Sequence, residues 1–392
     1  MANITTDQYH ALAKLKRWYD KYTHQIIEIS GVAGTGVYQV VQEFINLIGF
    51  DPREVMYLSY DQKQVLEMAY KRYHAYYING IIYKYTRLVD FDSLPVINPL
   101  STMVEYEWKR SVRKHIDPRY RLIVVFDSLL LNHRTIDDLT SFGLPIILIR
   151  DPMKIPAPDT YTFLRDPNIE LYDLHPDLIK SPMVYFANKV LRGEKMDYGN
   201  YDCVSIVPRK QMNLYNLKSA DMVLTMSSEI SDKINMIYRQ RVKKFQTPQN
   251  WIGERLICMS NMHAYKLVNP DEKNVKVYLT RGLVGYLTKC NRHALTTKYV
   301  PIQFRPEFYH ESFEEMYMDR HYLNGINVPS RQQIPDEVCL FDYAYALDIS
   351  MARLSHWDKT TIVVEGSEDI DLDRRMLYSA LVQSKRSATI IL

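Results

Sequence analysis

Glycine is scarce in this chain, 13 of 392 residues, against roughly 7% in an average soluble protein. Tight turns are therefore rationed, and the one place where glycines crowd stands out. Cysteine is sparser still. Cys203, Cys258, Cys290 and Cys339 lie far apart in sequence, with none of the short paired spacings of a zinc site or a dithiol redox motif. They read as reduced, buried thiols of an intracellular protein. No apolar run approaches membrane-spanning length, and the first residues lack the apolar core of a secretory signal. The expectation is a cytoplasmic protein with no membrane partner. Neither sign of charge dominates: 49 Lys and Arg against 46 Asp and Glu leave +3, which neither demands nor excludes a polyanion.

What is present is the composition of an ordinary globular protein, 46% hydrophobic and 24% charged. The length suffices for two core-forming domains plus insertions. Tyrosine is plentiful, with 31 residues. These are either stacking platforms for nucleic-acid bases or aromatic packing with wet hydroxyl edges. No internal repeat or low-complexity segment is found.

The glycines crowd at Gly31-Val-Ala-Gly34-Thr35-Gly36-Val37-Tyr38. An apolar segment, 25–30, precedes them, and Val40, Val41, Phe44, Ile45, Leu47 and Ile48 follow at helical spacing. Strand, glycine turn and helix form the setting of a phosphate-binding P-loop, whose backbone N–H groups and helix N-terminus cradle anionic oxygens. A working P-loop continues with Lys and then Ser or Thr, which neutralise phosphate and hold Mg²⁺. Here those positions are Val37 and Tyr38. Taken alone, the loop is equally a plain strand-to-helix turn.

Along the chain, residues 1–20 read as an amphipathic helix containing Gln8, and 55–60 as a second strand. Residues 64–85 read as an interrupted helix, followed by an insertion with a basic cluster (Lys109, Arg110, Arg113, Lys114). Residues 121–128 form an apolar strand ending in Asp127-Ser128, the form of a Walker B strand, and 144–149 form another. Strands alternating with helices indicate a parallel α/β sheet. The pattern resets at 160–205, and 220–226 starts a second α/β unit. Short strands at 254–259 and 282–287 have all-β spacing, 305–335 reads as partly helical, and the α/β pattern resumes from Phe341 to the last strand, 388–392.

In this order the motifs resemble those of superfamily 1 DNA helicases of the RecD and Dda type, especially phage-encoded ones, over nearly the whole chain. The stretch 341–359, FDYAYALDISMARLSHWDK, is similar to the family pattern FDYGYAITVHKSQGSEWDK, and Asp151-Pro-Met-Lys-Ile-Pro156 to GDPMQLPP. Residues 171–176, 181–187 and 191–193 follow LTEVHRQ, NPIIELA and RNG. The resemblance implies an α/β fold of two RecA-like P-loop domains with small inserted subdomains. It places the first domain at 1–183 with an insert near 88–112, the second at 184–268 plus 337–392, and a β-rich insert at 269–336.

The resemblance also assigns positions. Gln8 stands where the family reads adenine, though a lone Gln is also an ordinary polar residue of a first helical turn. Gly31, Gly34, Thr35, Gly36, Val37 and Tyr38 form the P-loop, and Asp127 and Ser128 the Walker B end. Lys154 replaces the glutamine that senses γ-phosphate, Pro176 the arginine of the VHR motif, and Gln383 the arginine finger. The groups that perform phosphoryl transfer are the ones substituted. The resemblance thus implies a fold without a motor, with no catalytic residue, no metal, and ATP and Mg²⁺ binding lost. Lys154 is the sole candidate for a relocated positive charge. The strand-gripping positions are Ser59, Tyr60, Tyr77, Asn79 and Arg353.

Two readings follow. One is a silent helicase-like accessory of phage or mobile-element DNA replication or recombination, binding single-stranded DNA weakly or docking on an active helicase or another replication protein. It would work in a bacterial host cytoplasm. The other is a protein-interaction scaffold or inhibitor without nucleic acid. Residual ATP-dependent activity is a third and weaker reading.

Overall fold

The computed structural model describes residues 4–60, 64–65, 68–69, 71–88, 107–156, 167–244, 252–259, 262–266, 275–279, 281–290, 297–307, 310–323, 338–352 and 355–392. The chain divides into two compact units. One comprises residues 1–78, 114–242 and 346–392, the other 79–113 and 243–345.

The first unit contains two mainly parallel sheets. In the first sheet, β1 (Ile26–Gly31), β2 (Val55–Ser59), β3 (Ala75–Tyr77), β4 (Leu122–Val125), β5 (Ile146–Arg150) and β6 (Ile169–Leu171) lie in the order β3-β2-β4-β5-β1-β6, all parallel. Its central strands are apolar runs because both faces are covered. The helix Val37–Leu47 lays Val37, Val40, Val41, Phe44 and Ile45 against the core. The helix Thr6–Lys21 starts at a capping box, with Thr5 and Gln8 satisfying each other's backbone N–H.

The second sheet holds β7 (Gly199–Tyr201), β8 (Val204–Val207), β9 (Met222–Thr225), β10 (Ala346–Asp348), β11 (Trp357–Val363) and β12 (Ser384–Ile391). Their order is β10-β9-β11-β12-β8-β7, parallel except for the β7–β8 pair. The helix Ile370–Val382 crosses from β11 to β12 and packs on the helix Pro182–Leu191. This is the expected α/β architecture of two RecA-like sheets, with inserted pieces.

The second unit carries an antiparallel sheet in the order 275–279, 262–266, 313–319, 299–306, 284–290, 255–258, 341–343, with Val338–Cys339 parallel to the 313–319 strand. A hairpin pairs Tyr83–Leu88 with Glu107–Val112.

Three expectations are corrected or given sharper bounds. Residues 75–77 and 83–85 are strand rather than helix, the latter running on to Leu88. Ala75-Tyr-Tyr77 fills the edge beside β2, and the alternating Tyr-Lys-Tyr-Thr run finds a hairpin partner, so tertiary pairing overrides a helical pattern. Residues 305–335 are helical in part, at Arg320–Leu323 among the described residues, while 313–319 is a strand paired with 299–306. The antiparallel sheet is also wider than the span 269–336. Strand 255–258 pairs with 284–290, 262–266 with 275–279 and 338–339 with 313–319, so backbone ladders cross the expected boundaries at 268 and 337.

Candidate nucleotide cleft

The glycine loop follows β1, and two left-handed residues set its shape: Gly34 at φ +96° and Gly36 at φ +78°. A side chain on Gly34 would also strike Val184, 2.6 Å from where its Cβ would stand, so this position requires glycine twice over. The loop is fastened from every side. Thr35 is fully buried and donates through N and Oγ1 to the Val32 carbonyl, at 3.1 and 2.8 Å. Gln8 lies beneath it, 3% exposed, donating Nε2–H to the Thr35 carbonyl at 2.7 Å while Oε1 accepts from Thr5 N. Its amide is therefore committed to the loop, and it is no exposed first-turn residue. His175 N donates to the Gly34 carbonyl at 2.7 Å, and Asn188 Nδ2 to that of Ala33 at 3.0 Å.

Where a P-loop presents lysine and a small hydroxyl, Val37 is buried. The Tyr38 ring lies 5.4 Å from that of Phe126, which in turn stacks on Tyr57. Tyr38 is 48% exposed as a residue, but its hydroxyl end is desolvated beside Asp127, Lys154 and Asp151, and its pKa is raised, burial being the main cause.

Asp127 lies two residues past the end of β4, in a left-handed conformation at φ +52°. Its Oδ1 accepts from Lys154 Nζ at 2.9 Å, with side-chain exposures of 7% and 11%. Burial opposes the charge on Lys154, but Asp127, Tyr38 and Asp151 outweigh it and the pKa rises. The ammonium occupies the coordinating edge of the carboxylate that a Walker B aspartate would turn to Mg²⁺. The relocated charge of Lys154 is thus spent on Asp127. Ser128 is fully buried and donates to Glu28 Oε1 at 3.2 Å. Glu28, in the middle of β1, pairs with Arg150 at 3.4 Å, both side chains buried. Desolvation pushes its pKa up to about 7, against the opposing pull of Arg150 and Ser128.

The helix Ile370–Val382 supplies the facing wall. The Tyr378 hydroxyl, fully buried, accepts from Ala33 N at 2.7 Å and donates to Asp151 Oδ2 at 2.6 Å. A P-loop N–H therefore faces a protein hydroxyl. Asp151 is pushed up to about 6, chiefly by burial, with Lys154 and the Tyr378 bond pulling the other way. Arg375 Nη1 donates to the Pro152 carbonyl at 2.9 Å. Gln383 is 1% exposed, and neither amide atom has a hydrogen-bond partner among the described residues. Pro176 is exposed. What remains between the walls is a cavity of about 300 Å³ lined in part by Ala33, Tyr38, Arg150, Lys154, Leu178 and His356.

A magnesium nucleoside triphosphate needs unpaired cations, unengaged loop N–H groups and a carboxylate open to the metal. These residues do not fit it. The similarities found are to helicases. A Pif1 helicase from Bacteroides, solved with ADP-AlF3 and single-stranded DNA, is 12% identical, with 96% of this chain and 91% of that one covered at a TM-score of 0.45. Pif1 from Candida albicans is 11% identical over 100% and 94%, TM-score 0.45. A Pif1 from a study of two coordinating helicases at forked double-stranded DNA is 11% identical over 98% and 91%, TM-score 0.47. No family model and no curated protein matches the chain. At such identities the chemistry of the cleft is read from its own residues.

The strand-gripping positions are partly brought together. Ser59 ends β2, buried, its Oγ 2.7 Å from Gln64 Oε1. Tyr60 sits edge-on to Tyr77 at 6.2 Å, its hydroxyl 3.2 Å from Thr135 Oγ1. Both tyrosines are half-buried at the carboxyl ends of β2 and β3. Asn79 belongs to the other unit, and Arg353 lies outside the described residues. Sequence reasoning missed Glu28, Arg150, Asn188 and the hydroxyl of Tyr378. A carboxylate inside an otherwise apolar β1 was the one signal available for the first two.

Proposed function

We propose that this chain is a helicase-fold protein, allied to the phage RecD and Dda type, that does not turn over nucleotide. It serves as an accessory in phage or mobile-element DNA replication or recombination inside a bacterial host, holding single-stranded DNA weakly or docking beside an active enzyme. The observation that carries the reading is the buried Lys154–Asp127 pair, which ties the Lys154 ammonium to the carboxylate that would face a metal. The Tyr378 hydroxyl on Ala33 N supports it. Substitutions Val37→Lys and Tyr38→Thr should not restore hydrolysis, since Lys154, Ser128 and Gln383 remain.

Tyr60 and Tyr77 offer base-stacking surfaces at strand ends, where loops of such sheets meet ligands. Of the five strand-gripping positions only Arg353 is a cation, so the expected salt dependence of binding is shallow. The test is fluorescence anisotropy of a labelled single-stranded oligonucleotide at low salt, with and without ATP and Mg²⁺, alongside calorimetric titration of the nucleotide. The expected result is weak, sequence-tolerant DNA binding that nucleotide leaves unchanged. Micromolar affinity for ATP with Mg²⁺, or DNA affinity that shifts with it, overturns the silent-cleft reading. No DNA binding at all moves the assignment to a protein scaffold.

A further inference from the structure

The four cysteines, scattered in sequence, are not all apart in space. Cys258 ends the strand 255–258, and Cys339 ends the two-residue strand 338–339. Cys258 pairs with Phe341, and Met259 N donates to the Leu340 carbonyl at 2.8 Å. Cys339 is two positions from Phe341, and side chains two apart along a strand share a face. Both thiols are fully buried, with their sulfurs 3.3 Å apart. Cys203 and Cys290, by contrast, are partly exposed.

We propose that Cys258 and Cys339 form an oxidisable dithiol, a disulfide site that staples the inserted antiparallel sheet where the chain enters and leaves it. The backbone is already held: Cys258 N donates to the Leu283 carbonyl at 2.9 Å, and its carbonyl accepts from Gly282 N at 2.8 Å. The sulfurs stand 3.3 Å apart, against a disulfide bond length of about 2.05 Å. The oxidant is a small disulfide of the glutathione class. One thiolate attacks it, forming a mixed disulfide and releasing one small thiol. The second thiolate then attacks the protein sulfur of that mixed disulfide and releases the other. Two protein thiols are oxidised, one small disulfide is reduced to two thiols, and the protons leave on those thiols. Both thiols are buried, so the oxidant reaches them on local opening of the sheet, and the two-residue strand 338–339 is its shortest strand among the described residues. The inference is independent of the cleft.

The test treats the full chain with excess oxidised glutathione under native conditions, alkylates remaining thiols in denaturant, and maps the digest by mass spectrometry without reductant. The expected product is a linked peptide pair joining Cys258 to Cys339 in most molecules, with Cys203 and Cys290 alkylated or carrying glutathione. Cys258→Ser and Cys339→Ser should each abolish the link, and the wild-type map stands even if a variant folds poorly. Reduction should restore two alkylatable thiols. A map in which both residues are alkylated, or linked to Cys203 or Cys290, overturns the proposal.

Discussion

Two regions at the carboxyl ends of the first sheet differ in how their polar groups are used. In the cleft after β1 and β4, polar side chains are turned inward: Lys154 to Asp127, Gln8 to Thr35, Tyr378 to Ala33 and Asp151. At the ends of β2 and β3, Tyr60 and Tyr77 are partly exposed and meet edge-on. These polar groups of the cleft are satisfied within the protein, while the two tyrosine rings lie partly open at strand ends. A core resists substitution and refuses ligands. A surface tolerates substitution and is where any remaining binding is to be sought. That contrast can be tested one side chain at a time.

The largest effect is expected at Lys154. Removing one member of a buried ion pair strands the other charge in low dielectric, at a cost of about 3–5 kcal/mol. Lys154→Ala should lower the denaturant midpoint accordingly, with the slope unchanged. If the loss stays near that of a surface pair, about 0–1 kcal/mol, then water already reaches Asp127 and the cleft is not core-like.

A smaller loss is expected from Tyr378→Phe, which keeps the ring and deletes only the hydroxyl. Ala33 N–H and the Asp151 carboxylate would each lose a partner, costing about 1–3 kcal/mol. The pH dependence should move with it. Asp151 is raised from 3.8 to about 6 and Glu28 from 4.5 to about 7. A carboxyl with a raised folded value binds more protons in the native state. Its stabilisation is therefore full below the unfolded value and is lost as pH rises through the folded one. Unfolding midpoints should thus fall between about pH 4 and pH 7 on account of these two groups. In Tyr378→Phe the Asp151 part of that fall should move to higher pH, because the hydroxyl bond is one of the influences holding its value down. Glu28→Gln should remove the upper part. A flat profile in wild type would mean that neither carboxyl is desolvated.

The sheets and the loop were legible because they rest on local signals: apolar runs, glycine spacing and helical periodicity. Gly34 and Gly36 stood out against a glycine-poor background. The sealing of the cleft was not legible, because its partners are far apart in sequence. Lys154 could be seen as a displaced charge, but whether it reached for a phosphate or for Asp127 depends on how β4 and β5 are set side by side. Tyr378 reads as packing in its helix, and only the approach of that helix to Ala33 gives its hydroxyl a role. Cys258 and Cys339 were likewise hidden by the long insertion between them. The interrupted helix read over 64–85 is helical at 64–65, 68–69 and Ile78–Ile82 but gives way at 75–77, where β2 offers an edge that local pattern cannot see.

The smallest effect on folding is expected at Tyr60, and it bears most directly on function. Tyr60→Ala removes an edge-on ring pair worth about 0.5–1.5 kcal/mol beyond area and a hydroxyl contact of 3.2 Å with Thr135. The midpoint should shift less than in either cleft variant. Single-stranded DNA affinity should fall, by as much as about 1–3 kcal/mol if a base stacks on the ring. Tyr77→Ala should behave alike, and the double variant should lose less than the sum, because each ring props the other. Tyr378→Phe should leave DNA affinity where it was. The informative quantity is the ratio of the two effects, folding loss against binding loss, measured on the same preparations by denaturant titration and anisotropy. A high ratio at Tyr378 and a low one at Tyr60 separates core from surface. Equal ratios, or a DNA affinity indifferent to both tyrosines, would place the binding face elsewhere in the fold.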